Sequence, residues 1–179
     1  MGRNTAVQAA RSLRLLNSDD LRHHPRTAPT ERSTPSTTPG APLNLGIVDY
    51  LTEVRRDVVD HVHAVVTDPT PVPAQVERIY DWYVEQTGNA DAAEQAYRDT
   101  LIARQALEHA VRLGNDNVVC EHPCPRCGKW GLMWDEATTR AFCSHGRCRT
   151  PGGMASTWTL GRLAAQQIQR TEIWRRNAT

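Results

Sequence analysis

Two pairs of cysteines in the last third of the chain, Cys124 and Cys127 followed by Cys143 and Cys148, restrict what this sequence can fold into more than any other feature. Two residues separate the first pair, four separate the second, and fifteen lie between the pairs. In Cys124-Pro125-Arg126-Cys127-Gly128 a tight turn aims two thiolates and several backbone N–H groups at one point, and Gly128 suits the positive φ that closes it. In Cys143-Ser144-His145-Gly146-Arg147-Cys148 the wider gap bends through Gly146. Four thiolates so spaced predict a soft tetrahedral S4 site for one structural Zn2+, with Cys124, Cys127, Cys143 and Cys148 as ligands. The second knuckle departs from the two-residue gap of the usual zinc pattern, which bears on its geometry more than on the metal.

Other uses of the cysteines fit less well. Two disulfides need an oxidising compartment, yet the chain opens with no apolar signal core and its five cysteines leave one unpaired. A redox C-x-x-C opens a helix after a strand, whereas Gly128-Lys129-Trp130-Gly131 leads into a strand-like run. A rubredoxin-like iron site is the minor alternative, since it wants the compact knuckle twice. Cys120, His122 and His145 lie near enough in sequence to replace one ligand, and Cys120 is expected to be a strand residue or a neighbour of the site.

Only 39% of the 179 residues are apolar and one phenylalanine is present, so a large continuous core is not expected. No apolar run reaches the length of a membrane span, and Ala6 stands where a myristoylation signal needs Ser or Thr, so a soluble, cytoplasmic protein is expected. The net charge of +1 hides an asymmetry. Residues 1–44 carry six basic and three acidic side chains, residues 45–117 six and thirteen, and residues 118–179 nine and four. A basic part beside an acidic one suggests an anionic partner for the former, against the plainer reading of a solvated acidic helical face.

The expected fold is mainly α with a small β module: a three-helix unit, a zinc ribbon made of a hairpin and a third strand, and a C-terminal helix. Residues 1–44 read as a basic, disordered N-terminal segment, because from Asn17 onward Pro, Ser, Thr and charge leave almost nothing to bury. A helix over 5–16 would be marginal alone and is expected to need a partner. Residues 45–117 read as an acidic bundle. Its helices run from Leu45 to Val66, from Pro73 to Gly88, and from an Asn89 cap to Leu113. Residues 118–179 form the third unit. Val118-Val119-Cys120 is expected to begin a strand-rich stretch, Trp130–Trp134 and Arg140–Cys143 a hairpin, and Thr159 to cap a last helix reaching Trp174.

Through Cys124-Pro125-Arg126-Cys127-Gly128, the central hairpin and the distal Cys143 and Cys148, residues 118–160 resemble the zinc-ribbon family. The whole chain is similar to small helical-plus-ribbon proteins of GC-rich bacteria and their phages. The resemblance implies a metal-held β module more than a single activity, since ribbons occur in transcription factors, polymerase subunits, ribosomal proteins and adaptors. A treble-clef-like arrangement, in which the last knuckle leads straight into a helix, stays open.

Two functions follow as expectations. One is nucleic-acid binding by Arg126, Lys129, Arg140, Arg147, Arg149 and Arg162, with Trp130 beside them to stack on an unpaired base. Trp134 and Trp158 read as core of the small ribbon. The alternative is a protein-interaction adaptor or regulator that docks a basic partner through Asp49, Glu53, Asp57 and Asp60, with the zinc purely structural. Self-association through the helices is compatible with either. An enzyme is not expected: four thiolates close the metal, no phosphate-cradling glycine loop appears, and His61 and His63 are two apart on a helix and point different ways.

Overall fold

Asn44, Asp91 and Thr159 start three of the described helices in the same way. Each side-chain oxygen accepts the backbone N–H three residues on, from Ile47 at 3.4 Å, Glu94 at 2.9 Å and Arg162 at 3.2 Å. Each bond satisfies one of the donors that a helix start leaves open. The computed structural model describes residues 2–23 and 44–178. They form α1 (Gly2–Leu16), α2 (Asp19–His23), α3 (Leu45–Val65), α4 (Ile79–Gln86), α5 (Ala92–Arg112) and α6 (Leu160–Asn177). Strands β1 (Leu132–Asp135), β2 (Arg140–Cys143) and β3 (Thr157–Trp158) make one antiparallel sheet in that order. The protein is therefore mainly α with a small β module, and none of the described helices is long and apolar enough to cross a membrane.

Within the segment read as disordered, the helix expected over 5–16 is present as α1 (Gly2–Leu16), and a second, α2, follows it at Asp19–His23, where disorder was expected. In α1, Ala6, Ala9, Leu13 and Leu16 recur at three- and four-residue steps and are almost wholly buried with Val54, Val58 and Val62 of α3, Ile79, Tyr80 and Tyr83 of α4, and Leu101 and Ile102 of α5. A helix that is marginal alone is held by the apolar stripe it buries. The partner it needs is the chain's own bundle. Residues 24–43, the remainder of the expected disordered stretch, lie outside the described residues.

A second core lies under the sheet, where Val119, Cys124, Leu132, Ala141, Cys143 and Cys148 pack with Leu160, Leu163 and Ala164 of α6 and with Ala103 and Leu107 of α5. Helix α5 is thus shared by both cores, and the two units meet along it. The strand expected from Val118 is a 3-10 turn over Asp116–Val119. The three strands pair among themselves and offer Val118 no ladder, and a turn suffices to bury Val119 completely. The third long helix is capped by Asp91 and not by Asn89, whose neighbours Gly88 and Ala90 instead give their carbonyls to the Gln95 side chain.

The hairpin register sets Leu132 opposite Cys143 and Asp135 opposite Arg140. Asp135 shapes the turn by accepting from the Ala137 N–H at 3.1 Å and the Thr138 hydroxyl at 2.6 Å. Leu132, Ala141 and Cys143 face the core, while Met133 and Phe142 pair on the other face.

Candidate metal centre

Each cysteine pair is delivered by a short backbone device. In the first knuckle the Gly128 N–H donates to the Cys124 carbonyl at 2.9 Å and the Cys124 N–H to the Lys129 carbonyl at 2.8 Å. Gly128 has φ +69°, where an L side chain is strained. The second knuckle leaves β2 at Cys143, and the Cys148 N–H donates to the His145 carbonyl at 2.8 Å. Both knuckles sit at the same end of the hairpin, tied by the Ser144 N–H and hydroxyl donating to the Gly131 carbonyl at 3.1 and 2.7 Å. At Gly131, φ is +117° and an added Cβ would lie 2.9 Å from the Ser144 oxygen, so only glycine allows this approach.

The sulfurs of Cys124, Cys127, Cys143 and Cys148 all lie within 4.8 Å of one another. Two of the separations run between knuckles: 3.7 Å from Cys124 to Cys148 and 3.8 Å from Cys127 to Cys143. Four sulfurs bonded tetrahedrally at about 2.3 Å from a Zn2+ stand about 3.8 Å apart, whereas a disulfide needs about 2.05 Å. The donor set and its spacing therefore fit one metal ion, and are compatible with structural zinc. With four sulfurs on the ion no position is left for a substrate or a water. All five cysteines are free thiols.

The thiols differ in how readily they ionise. Burial raises Cys124, but N–H groups of Cys127 and Arg126 and the thiols of Cys148 and Cys127 outweigh it and bring the group down to about 7. Burial pushes Cys143 up to about 12 against a bond from the His145 N–H. The Ser156 hydroxyl pulls Cys148 down, yet burial and the Cys124 and Cys127 sulfurs leave it raised. Crowded thiolates repel one another, and a divalent cation removes that penalty.

Cys120 is exposed and stands outside the cluster, as do His122 and His145. His122 is buried beside α6, and His145 Nε2 lies 3.1 Å from Lys129 Nζ.

The residues expected to meet nucleic acid do not form one patch. Lys129, Trp130, Arg147 and Arg149 flank the knuckles and are exposed, Trp130 at 62%. Arg149 spends its guanidinium on the Gly146 and Gly153 carbonyls at 2.9 and 2.8 Å, which closes the loop after the second knuckle. Arg126 Nη1 donates to Ser156 Oγ at 3.4 Å. Arg140 lies at the far end of β2, opposite Asp135, and Arg162 is on the first turn of α6. Trp134 and Trp158 are half-buried against the second core.

On the acidic face, Asp49, Glu53 and Asp60 are exposed, while Asp57 is paired with Arg104 of α5. Sequence reasoning passed over Ser156, which is 3% exposed between the knuckle and β3. A lone serine carries no signal until the fold sets it beside a sulfur. Compared with family models, with curated proteins and with solved structures, the chain finds no match in any of the three.

Proposed function

We propose that the chain is a non-enzymatic, zinc-held protein that binds nucleic acid through its C-terminal module. The observation that carries this reading is Trp130, a tryptophan left 62% exposed directly after the first knuckle, with Lys129 and Arg147 exposed around the same four-cysteine site. A rigid, solvated indole costs apolar exposure and gives a stacking surface for an unpaired base, while the cations serve the phosphates. The zinc acts by holding both knuckles in place. A cytoplasmic location, where thiols stay reduced, accords with the free cysteines.

Oligonucleotide binding measured against salt tests the reading. With Arg126 and Arg149 committed internally and Arg140 and Arg162 away from the knuckles, Lys129 and Arg147 predict a log–log slope of about −2 on duplex DNA, whereas all six would give about −5. Trp130→Ala should weaken single-strand binding by about tenfold. A protein that is not retained on DNA or RNA at about 50 mM salt overturns the proposal. The exposed Asp49, Glu53 and Asp60 support the second reading, an adaptor for a basic partner. Charge reversal at those three positions should then abolish recovery of that partner, and unchanged recovery would count against it.

A further inference from the structure

A tetrathiolate zinc centre carries a net charge of about −2, one dication against four thiolates. In a site where three of the four cysteines are buried that charge must be met by donors, and groups next to the ligands set how firmly the ion is held. Backbone N–H groups serve two of the sulfurs: Cys127 and Arg126 donate to Cys124, and His145 donates to Cys143. Cys148 is served by a side chain. Its sulfur lies 3.5 Å from Ser156 Oγ, a hydroxyl that is otherwise enclosed by protein.

Ser156 has one proton to give and two takers, the Cys148 sulfur at 3.5 Å and the Cys148 carbonyl at 3.3 Å. As a thiol, Cys148 donates to Ser156. As a metal-bound thiolate it only accepts, so the hydroxyl proton must turn toward it. Arg126 makes that turn favourable, since its Nη1 donates to Ser156 Oγ at 3.4 Å and brings a cation to the outer side of the hydroxyl. The backbone keeps Ser156 in place, because its carbonyl accepts the Cys143 N–H at 3.0 Å and its N–H donates to the Cys148 carbonyl at 3.3 Å. One residue is thus bound to both ligands of the second knuckle.

We infer that Ser156 and Arg126 are positioning residues for the metal: the Arg126 guanidinium polarises the Ser156 hydroxyl, which donates to the metal-bound Cys148 sulfur and slows loss of the ion. The inference rests on metal occupancy of the four-cysteine site. It also moves Arg126 out of the nucleic-acid surface, where its position in the sequence had put it.

The test uses the full chain with Zn2+ and Co2+ as probes, in the wild type, Ser156→Ala, Arg126→Ala, Arg126→Lys and Arg56→Ala, the last removing a cation from the exposed face of α3. Ser156→Ala should weaken zinc in chelator competition by about tenfold, and Arg126→Ala by less. In both, the sulfur-to-cobalt charge-transfer bands should move to lower energy, because an unassisted thiolate is more electron-rich. Arg126→Lys should restore part of each change, and Arg56→Ala should change neither. A purely structural role for Ser156 would lower the melting point and leave the cobalt bands in place. Zinc affinity within twofold of wild type and an unmoved cobalt spectrum in both Ser156→Ala and Arg126→Ala would overturn the inference. If Ser156→Ala does not fold, Arg126→Ala and Arg126→Lys decide it by the same two readouts. A wild-type chain that takes up neither ion refutes the metal reading itself, a different result from ions bound with equal strength by every variant.

Discussion

His109 ties the N-terminal helix to α5 from inside the first core. Its Nδ1–H donates to the Ala9 carbonyl at 3.2 Å, its Nε2 lies 3.4 Å from the Tyr80 hydroxyl, and the Tyr50 ring meets it edge-on. The side chain has no solvent exposure. Burial pushes its pKa down to about 4, with the bond to Ala9 opposing and the Arg112 charge adding to the fall. As pH drops through 6.5 the unfolded chain takes up this proton and the folded chain does not, so stability is full above 6.5 and declines toward pH 4. The shift is worth about 3 kcal/mol over that window. Protonation of the cysteines would also loosen a metal held there in acid, so His109→Gln, which keeps a donor for Ala9, supplies the comparison. Urea midpoints at pH 7 and pH 4.5 should separate less in His109→Gln than in wild type. Equal separation would mean that His109 titrates normally.

At the scale of elements, α1 sets the clearest stability prediction. Leu13 is fully buried, so Leu13→Ala should cost about 3 kcal/mol, whereas Leu15→Ala, at a position 53% exposed, should cost under about 0.5 kcal/mol. Denaturant midpoints measure both, and equal effects would mean that α1 does not dock. The same helix shows what was legible in the sequence. Its large apolar residues Val7, Leu13, Leu15 and Leu16 were visible, but they do not lie on one stripe. The buried face is completed by Ala6 and Ala9, whose smallness brings α1 close to α5, while Val7 stays 62% exposed. Small residues mark a contact only when the partner surface is known. The cap at Thr159 and the hairpin turn could be read because their chemistry is local. The four sulfurs were legible through their spacing, which the knuckles enforce within a few residues. Ser156 and the bonds that occupy Arg149 were not, since they depend on residues brought together by β3 and the loop before it.

Across the whole molecule a metal held by the four cysteines would matter unequally to the two cores. The first, built by α1, α3, α4 and the earlier part of α5, contains no ligand. The second counts Cys124, Cys143 and Cys148 among its buried residues, beside four leucines, three alanines and Val119, and six of those eight come from the helices or the turn and not from the sheet. Three strands of two to four residues cannot hold a sheet on that alone. Structural zinc contributes about 10 kcal/mol or more to modules of this size, so the second core should exist only with its ion. α6 docks on that core through Leu160, Leu163 and Ala164, and should be released with it. Adding a strong chelator to the full chain should therefore remove amide-exchange protection from β1, β2 and α6, while α3 and the Leu101–Ile102 turn of α5 stay protected. Far-UV dichroism should fall by part of its helical signal, as the bundle persists. Ala103 and Leu107, which face the second core from α5, should show intermediate protection, marking where the released half adjoins the retained one. If chelation unfolds the whole chain in one step, the shared helix makes the cores a single cooperative unit. If it leaves the protection of β1, β2 and α6 intact, the cysteines are not what holds the module together.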